Sequence, residues 1–183
     1  MLIERPYARQ RALEYAATWA FDRNPLFINY TGFGGDCTNF VSQCLFAGSC
    51  RMNFKPVFGW YYLDENGRTA SWTGVVYLYN FLTQNEGVGP YGFEASEREL
   101  DVGDVVQLAN GEGVFYHSML ISGIDPRRGI LVAAHSDDAF DRPLSTYAYA
   151  FARYIHIEGV RYSLGLSTDA CYRDFLAGIA IEP

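Results

Sequence analysis

The chain has 183 residues, 49% of them hydrophobic and 19% charged, with a formal net charge of −7. That composition builds a core and excludes a disordered chain, and the length suits a single domain over 1–183. Lys55 is the only lysine and no basic run occurs, which argues against nucleic acid or an anionic membrane as partner; no apolar run approaches the ~18 residues of a membrane span.

An acidic surface with 14 Tyr and 13 Phe suits a neutral or cationic substrate such as a peptide or glycan. Residues 1–20 carry Glu4 and Glu14 and lack the apolar block of a signal peptide. Taken literally, the chain stays in the cytoplasm; a chain shorn of a leader and working in the cell envelope or outside the cell would read the same. The four cysteines, Cys37, Cys44, Cys50 and Cys171, match no zinc-binding spacing. A disulfide such as Cys50–Cys171 is open, and nothing in the sequence requires one. No metal or cofactor is called for.

Pro6 opens a first helix over 6–22, with Leu13, Ala16, Ala17 and Ala20 as its apolar stripe; Asn24-Pro25 ends it. A second helix is expected from Cys37 to about Ala47, stopped by Gly48. Residues 49–73 read as an aromatic-rich loop, and a third helix is expected over 73–84. From about residue 100 the pattern becomes strand-like: Val105–Leu108, His117–Ser122, Ile130–Ala134 and Tyr147–Ile157, punctuated by Asn110-Gly111 and Asp125–Gly129. Ser167-Thr168-Asp169 caps a last short helix. Helices first and an antiparallel sheet after them predict an α+β fold.

The chain is organised around Gly34-Gly35-Asp36-Cys37. The glycines permit a sharp turn, and Asp36 is suited to cap the following helix. Cys37, Phe40, Val41, Cys44 and Leu45 follow at i, i+3, i+4, i+7 and i+8, one face of a helix. A thiol at a helix N-terminus lies among free N–H groups at the positive end of the dipole, and both favour the nucleophilic thiolate. The adjacent Asp36 charge opposes this, so a nearby imidazolium has to offset it. Read alone, the stretch serves catalysis or packing equally well; Cys44, inside the helix, packs.

His117 opens one expected strand and His135 closes the next, so an antiparallel pairing brings the two side by side at one end of the sheet. Taken singly, each histidine reads as an edge or turn residue. Together with a cysteine at a helix tip they make a nucleophile, a base and an orienting group. His156, with apolar flanks, reads as structural.

Asp36-Cys37-Thr38-Asn39-Phe40-Val41-Ser42-Gln43 resembles the nucleophile-helix signature of the putative amidase domain family, which is similar to the NlpC/P60 and CHAP groups of papain-like cysteine peptidases. Tyr15-Ala16 with Trp19, Arg23-Asn24-Pro25, Trp60-Tyr61-Tyr62, Ser71-Trp72, Val102-Gly103-Asp104, His117-Ser118 and His135 followed by Arg142-Pro143-Leu144 extend the match over about 7–157. The resemblance implies a papain-like fold and a cysteine hydrolase acting on an amide bond, in a peptide or muropeptide substrate of the cell wall. It makes Cys37 the nucleophile, His117 the base and His135 the orienting residue. Ser136 stands where the family usually has Thr, and Asp137 and Asp138 follow, so any of His135, Asp137 and Asp138 could face His117. The Cys37 N–H is one oxyanion donor; Tyr30 or Gln43 is a candidate second. Trp60 and Trp72 are candidates for a substrate groove. An acyltransferase or transglutaminase-like enzyme with the same triad, a non-catalytic wall- or peptide-binding module, and a metal site from His117, His135 and Asp137 are the alternatives. Residues 159–183 lie beyond the usual domain, with no role assigned.

Overall fold

The computed structural model describes residues 1–163 and 169–179. Strand β1 (Leu2–Arg5) precedes helices α1 (Arg9–Trp19), α2 (Cys37–Ser49), α3 (Ala70–Thr73) and α4 (Val75–Gln84). Strands β2 (Gly89–Ala95), β3 (Val105–Ala109), β4 (Phe115–Asp125), β5 (Gly129–Ala134), β6 (Ala139–Pro143) and β7 (Phe151–Ser163) follow, and α5 (Asp169–Leu176) comes last. The fold is α+β. All strand pairings are antiparallel, in the order β1-β7-β3-β4-β5-β6, and β2 also pairs with β7.

Alternation along the strands divides the interior in two. Val105, Leu120, Ala133 and Ile155 face the helices and join the larger core, while Val106, Met119, Ile121 and Val132 face a second core closed by Leu100 and Leu144. β7 is the organising strand: β3 pairs with Phe151–Ile155, β1 with Val160–Ser163, and β2 with the edge running from Tyr154 to Arg161. Residues 159–163, beyond the expected family-like region, therefore belong to the central sheet.

The expected one-faced helix at Cys37 is buried on every side. Its polar face lies beneath the aromatic loop, whose indoles satisfy it. Trp60 Nε1 donates to Ser42 Oγ at 3.0 Å and Trp72 Nε1 to Asn39 Oδ1 at 3.0 Å, while Ser42 Oγ donates to the Trp72 carbonyl at 2.8 Å. Trp60 and Trp72 thus have 0% exposure and stack at 4.7 Å. They form core, where a substrate groove was expected, because an indole N–H pairs with a buried hydroxyl or amide while its ring fills volume. Gly48 does not stop α2: the helix runs on to Ser49 and ends at Cys50 in the left-handed region. A Cβ at Gly48 would strike the Tyr7 ring, so the glycine serves close packing.

A disulfide joins Cys50, at the end of α2, to Cys171 on α5. It closes a loop of 121 residues, for which the chain-entropy model gives roughly 4–5 kcal/mol. Phe175 of α5 stacks on Tyr15 at 4.6 Å and meets Phe46 edge-on at 4.9 Å. The cap expected at Ser167–Asp169 lies outside the described residues.

Candidate active site

Gly34 and Gly35 take φ of +107° and +97°, which delivers the chain sharply into α2. Asp36 does not cap the helix with its side chain. Its carboxylate is fully buried and turns inward, accepting from Tyr30 N at 3.1 Å and Asn39 Nδ2 at 2.8 Å on Oδ1, and from His135 Nδ1 at 2.7 Å on Oδ2. Arg23 Nε lies 3.3 Å from the same Oδ2. The charge expected to oppose a thiolate at Cys37 is therefore met by a guanidinium and an imidazole. Among the described residues no side-chain hydrogen bond caps α2 at Asp36, which leaves the leading N–H groups of the helix without that partner.

Cys37 is fixed by its chain neighbours. Asp36 N donates to Ser136 Oγ at 2.7 Å, and Thr38 Oγ1 donates to Ser118 Oγ at 3.0 Å. The thiol thus sits between the start of β4 and the turn after β5. Its sulfur lies 3.8 Å from Thr38 Oγ1. Among the described residues no hydrogen bond joins Cys37 to His117; the two are adjacent through the Thr38–Ser118 bond, each next in sequence to one end of it.

The two histidines do not pair. His135 lies in the turn past the end of β5 and is held by Asp36 and the Trp19 carbonyl in place of His117. His117 pairs with Leu108, leans towards Tyr147, and is 9% exposed. Burial pulls its pKa down, the Asp137 carboxylate pushes it up, and Arg142 pulls it down again. His135 stacks on Phe40 at 4.0 Å, and its Nε2 lies 2.8 Å from the Trp19 carbonyl. Both ring nitrogens face acceptors, Asp36 Oδ2 and the Trp19 carbonyl.

Of the remaining candidates, Asp137 is ion-paired with Arg142, and Asp138 forms a two-pronged pair with Arg23, at 2.8 and 3.0 Å. Gln43 lies one and a half turns below Cys37, buried, with Oε1 accepting from Tyr15 OH at 2.7 Å, which removes it from the helix tip. Tyr30 is held by its N–H on Asp36, while Arg68 lies 4.8 Å from its ring centre. Arg23, the Trp19 carbonyl, Thr38 and Ser118 escaped the sequence reading as site residues, although Arg23-Asn24-Pro25 and His117-Ser118 stood among the quoted motifs. Among the described residues, no group of three or more His, Cys, Asp or Glu side chains is arranged to hold a metal ion, and no helix is long and apolar enough to cross a membrane.

The chain is thus an α+β protein with a cysteine at a helix tip, set against an antiparallel sheet and joined through the Thr38–Ser118 bond to the strand that carries His117. Residues 6–157 match the model of the putative amidase domain, and the chain belongs to that family, whose name points to amide hydrolysis and so to a hydrolase of C–N bonds. It is 32% identical over 137 residues to the uncharacterized protein YhbB of Bacillus subtilis (strain 168), covering 73% of this chain and 42% of that one. The chain thus spans about two fifths of the length of the curated relative it matches. No solved structure matches it.

Proposed function

We propose that the protein is a cysteine amidase of papain-like plan, similar to the NlpC/P60 and CHAP enzymes, acting on an amide bond of a peptide or muropeptide from the cell wall. The observation that carries this reading is the bracketing of Cys37: residues 36 and 38 are bonded to Ser136 and Ser118, so the thiol lies at the tip of α2 beside the N-terminal part of β4, which carries His117. Burial keeps His117 neutral as pH falls below the ordinary histidine range, which suits a general base. It takes the Cys37 proton as sulfur attacks the amide carbonyl. The oxyanion forms against the free N–H groups of the first turn. His117 then protonates the leaving amine, and water, deprotonated by His117, releases the acyl group. The ring turns towards sulfur as substrate enters, since catalytic hydrogen bonds are commonly loose before binding.

In this scheme Asp137 is the carboxylate that orients His117, because it is the one whose charge favours the imidazolium. His135 acts instead on Asp36, relieving the charge beside the nucleophile. The Cys50–Cys171 disulfide favours work in an oxidising compartment, where such bonds persist, over the cytoplasm.

The test is product analysis by mass spectrometry after incubation with cell-wall peptides and muropeptides. Release of an amine-terminated fragment by the wild type is expected, with a loss of at least about a thousandfold in Cys37→Ala and His117→Ala. Equal turnover by Cys37→Ala would overturn the proposal. Iodoacetamide labelling provides a second check. Cys37 should alkylate much faster than Cys44, whose thiol burial holds well above the ordinary range, and the advantage should vanish without His117.

A further inference from the structure

We infer that a buried chain of hydrogen bonds, running from Arg153 through Gln107, Ser118 and Thr38 to the Cys37 sulfur, promotes the thiolate, with Thr38, Ser118 and Gln107 as positioning residues. This rests on Cys37 being the nucleophile. The chain begins at a cation. Arg153 of β7 is held between two aromatic rings, its guanidinium carbon 3.7 Å from the Tyr79 centroid and 3.8 Å from that of Phe115. Its Nε and Nη2 both donate to Gln107 Oε1, at 2.8 and 2.6 Å.

Two donors on one amide oxygen fix the orientation of that amide. Gln107 then has only donors left to offer inward, and Nε2 gives to the Val75 carbonyl at 2.8 Å and to Ser118 Oγ at 3.0 Å. Ser118 is fully buried and Thr38 nearly so. With a donor behind it, Ser118 keeps its own hydroxyl hydrogen for the next link. That link is Thr38 Oγ1, 3.0 Å away, and Thr38 Oγ1 is 3.8 Å from Sγ.

The two hydroxyls have two consistent settings. With a thiol present, S–H points to Thr38 and Thr38 donates to Ser118. Once the thiol proton has gone to His117, the Thr38 hydroxyl turns to donate to sulfur and the Ser118 hydroxyl turns to donate to Thr38. No proton travels along the chain; two O–H bonds rotate. Every dipole then points at the thiolate from a cation four groups away, and such links strengthen one another in a low-dielectric interior. The need is specific to this site. Burial of His117 disfavours the imidazolium that would otherwise support a thiolate, and the first charge beside Cys37 is a carboxylate. A polar contact meant only to join helix to sheet would be complete with Thr38 and Ser118. It would not require a guanidinium with two hydrogen bonds on one buried amide oxygen.

The charged and titratable groups around the thiol are Asp36 on α2 with its partners Arg23 and His135, His117 on β4, and Asp137 with Arg142 beyond β5. Variants of the chain should leave these in place. The experiment is the pH profile of iodoacetamide alkylation of Cys37 in the oxidised full chain, located by mass spectrometry, for wild type, Thr38→Val, Thr38→Ser, Gln107→Glu and His117→Ala. Thr38→Val should alkylate about tenfold more slowly at pH 7, with its profile moved to higher pH, and Thr38→Ser should return to within about twofold of wild type. Gln107→Glu keeps the Arg153 pair but turns the chain around, since a carboxylate accepts from Ser118 and takes the hydrogen meant for Thr38; about a tenfold loss is expected there too. Superimposable wild-type, Thr38→Val and Gln107→Glu profiles, with wild-type Cys37 fast and dependent on His117, would overturn the relay and leave the nucleophile standing. A wild-type Cys37 no faster than Cys44 would remove the nucleophile, and the relay with it. Gln107→Glu decides the matter if Thr38→Val fails to fold.

Discussion

His135 and His156 each give Nδ1 to a buried aspartate, Asp36 at 2.7 Å and Asp104 at 2.8 Å, yet the two pairs do opposite work. The difference lies at the other nitrogen. His135 Nε2 meets an acceptor, the Trp19 carbonyl, whereas His156 Nε2 lies 3.5 Å from a donor, Arg9 Nη2. The first ring thus lies between two acceptors, and the second between an acceptor and a donor. Around Asp36 the near charges are Arg23 and, beyond it, Asp138. Around Asp104 the Arg9 guanidinium supplies the counter-charge at 2.6 Å, and Asp101 N and Ile157 N complete the carboxylate. One pair holds the carboxylate beside Cys37. The other ties α1 to β3 and β7 where the Gly103-Asp104 turn begins a strand.

The strongest attack on that contrast is removal of each carboxylate. Asp36→Ala and Asp104→Ala should each cost about 3–5 kcal/mol in urea unfolding, because each leaves buried hydrogen-bond donors and a half-buried guanidinium without their carboxylate. Under conditions where both variants remain folded, only Asp36→Ala should alter the alkylation rate of Cys37. An equal effect from Asp104→Ala would dissolve the distinction. The next test is milder. His135→Gln leaves one acceptor without its donor and should cost about 2–3 kcal/mol, while His156→Gln, partly exposed, should cost about 1 kcal/mol.

The third histidine supplies the smallest effect and a sign. Burial lowers the His117 pKa in the folded chain, so below the ordinary value of about 6.5 the unfolded chain binds more protons there. Its contribution to stability is complete above that value and is lost as pH falls through the folded one. An NMR titration of His117 should place its midpoint on the acid side of a free histidine. Asp137→Asn should carry it further down, since Asp137 raises it, and the acid limb of the amidase rate should move with it. A midpoint moved upward by Asp137→Asn would contradict the orienting role assigned to that residue.

The sequence disclosed the parts of this site better than their pairings. The Gly-Gly turn, the start of α2 at Cys37, and strands β3, β4 and β5 follow from spacing and turn residues that act locally. Asp36 read as a helix cap because its partner His135 stands 99 residues away, and short-range pattern carries no such information. His117 and His135 were expected side by side because strand ends were legible and partners were not; the groups that hold His135, Asp36 and the Trp19 carbonyl, lie 99 and 116 residues from it in sequence. Strand β2, Gly89–Ala95, has Gly and Pro where a strand pattern wants branched residues, and it exists because β7 presents an edge for it. The aromatic loop looked like a surface because its sequence has no period; its tryptophans are buried by the polar side of a helix that no apolar count would mark as interior.

The disulfide and Phe175 together set an order of events for the chain as it is made. Cys37 stands early in the chain, but the far end of its helix is fastened to residue 171, and the aromatic cluster behind Tyr15 and Phe46 lacks its last ring until residue 175 has emerged. The Trp19 indole that donates to the Leu176 carbonyl belongs to the residue whose own carbonyl receives His135. A chain made only through its first helices holds Cys37 without that support, so the setting of the thiol is complete only once residue 175 is in place and the disulfide has closed.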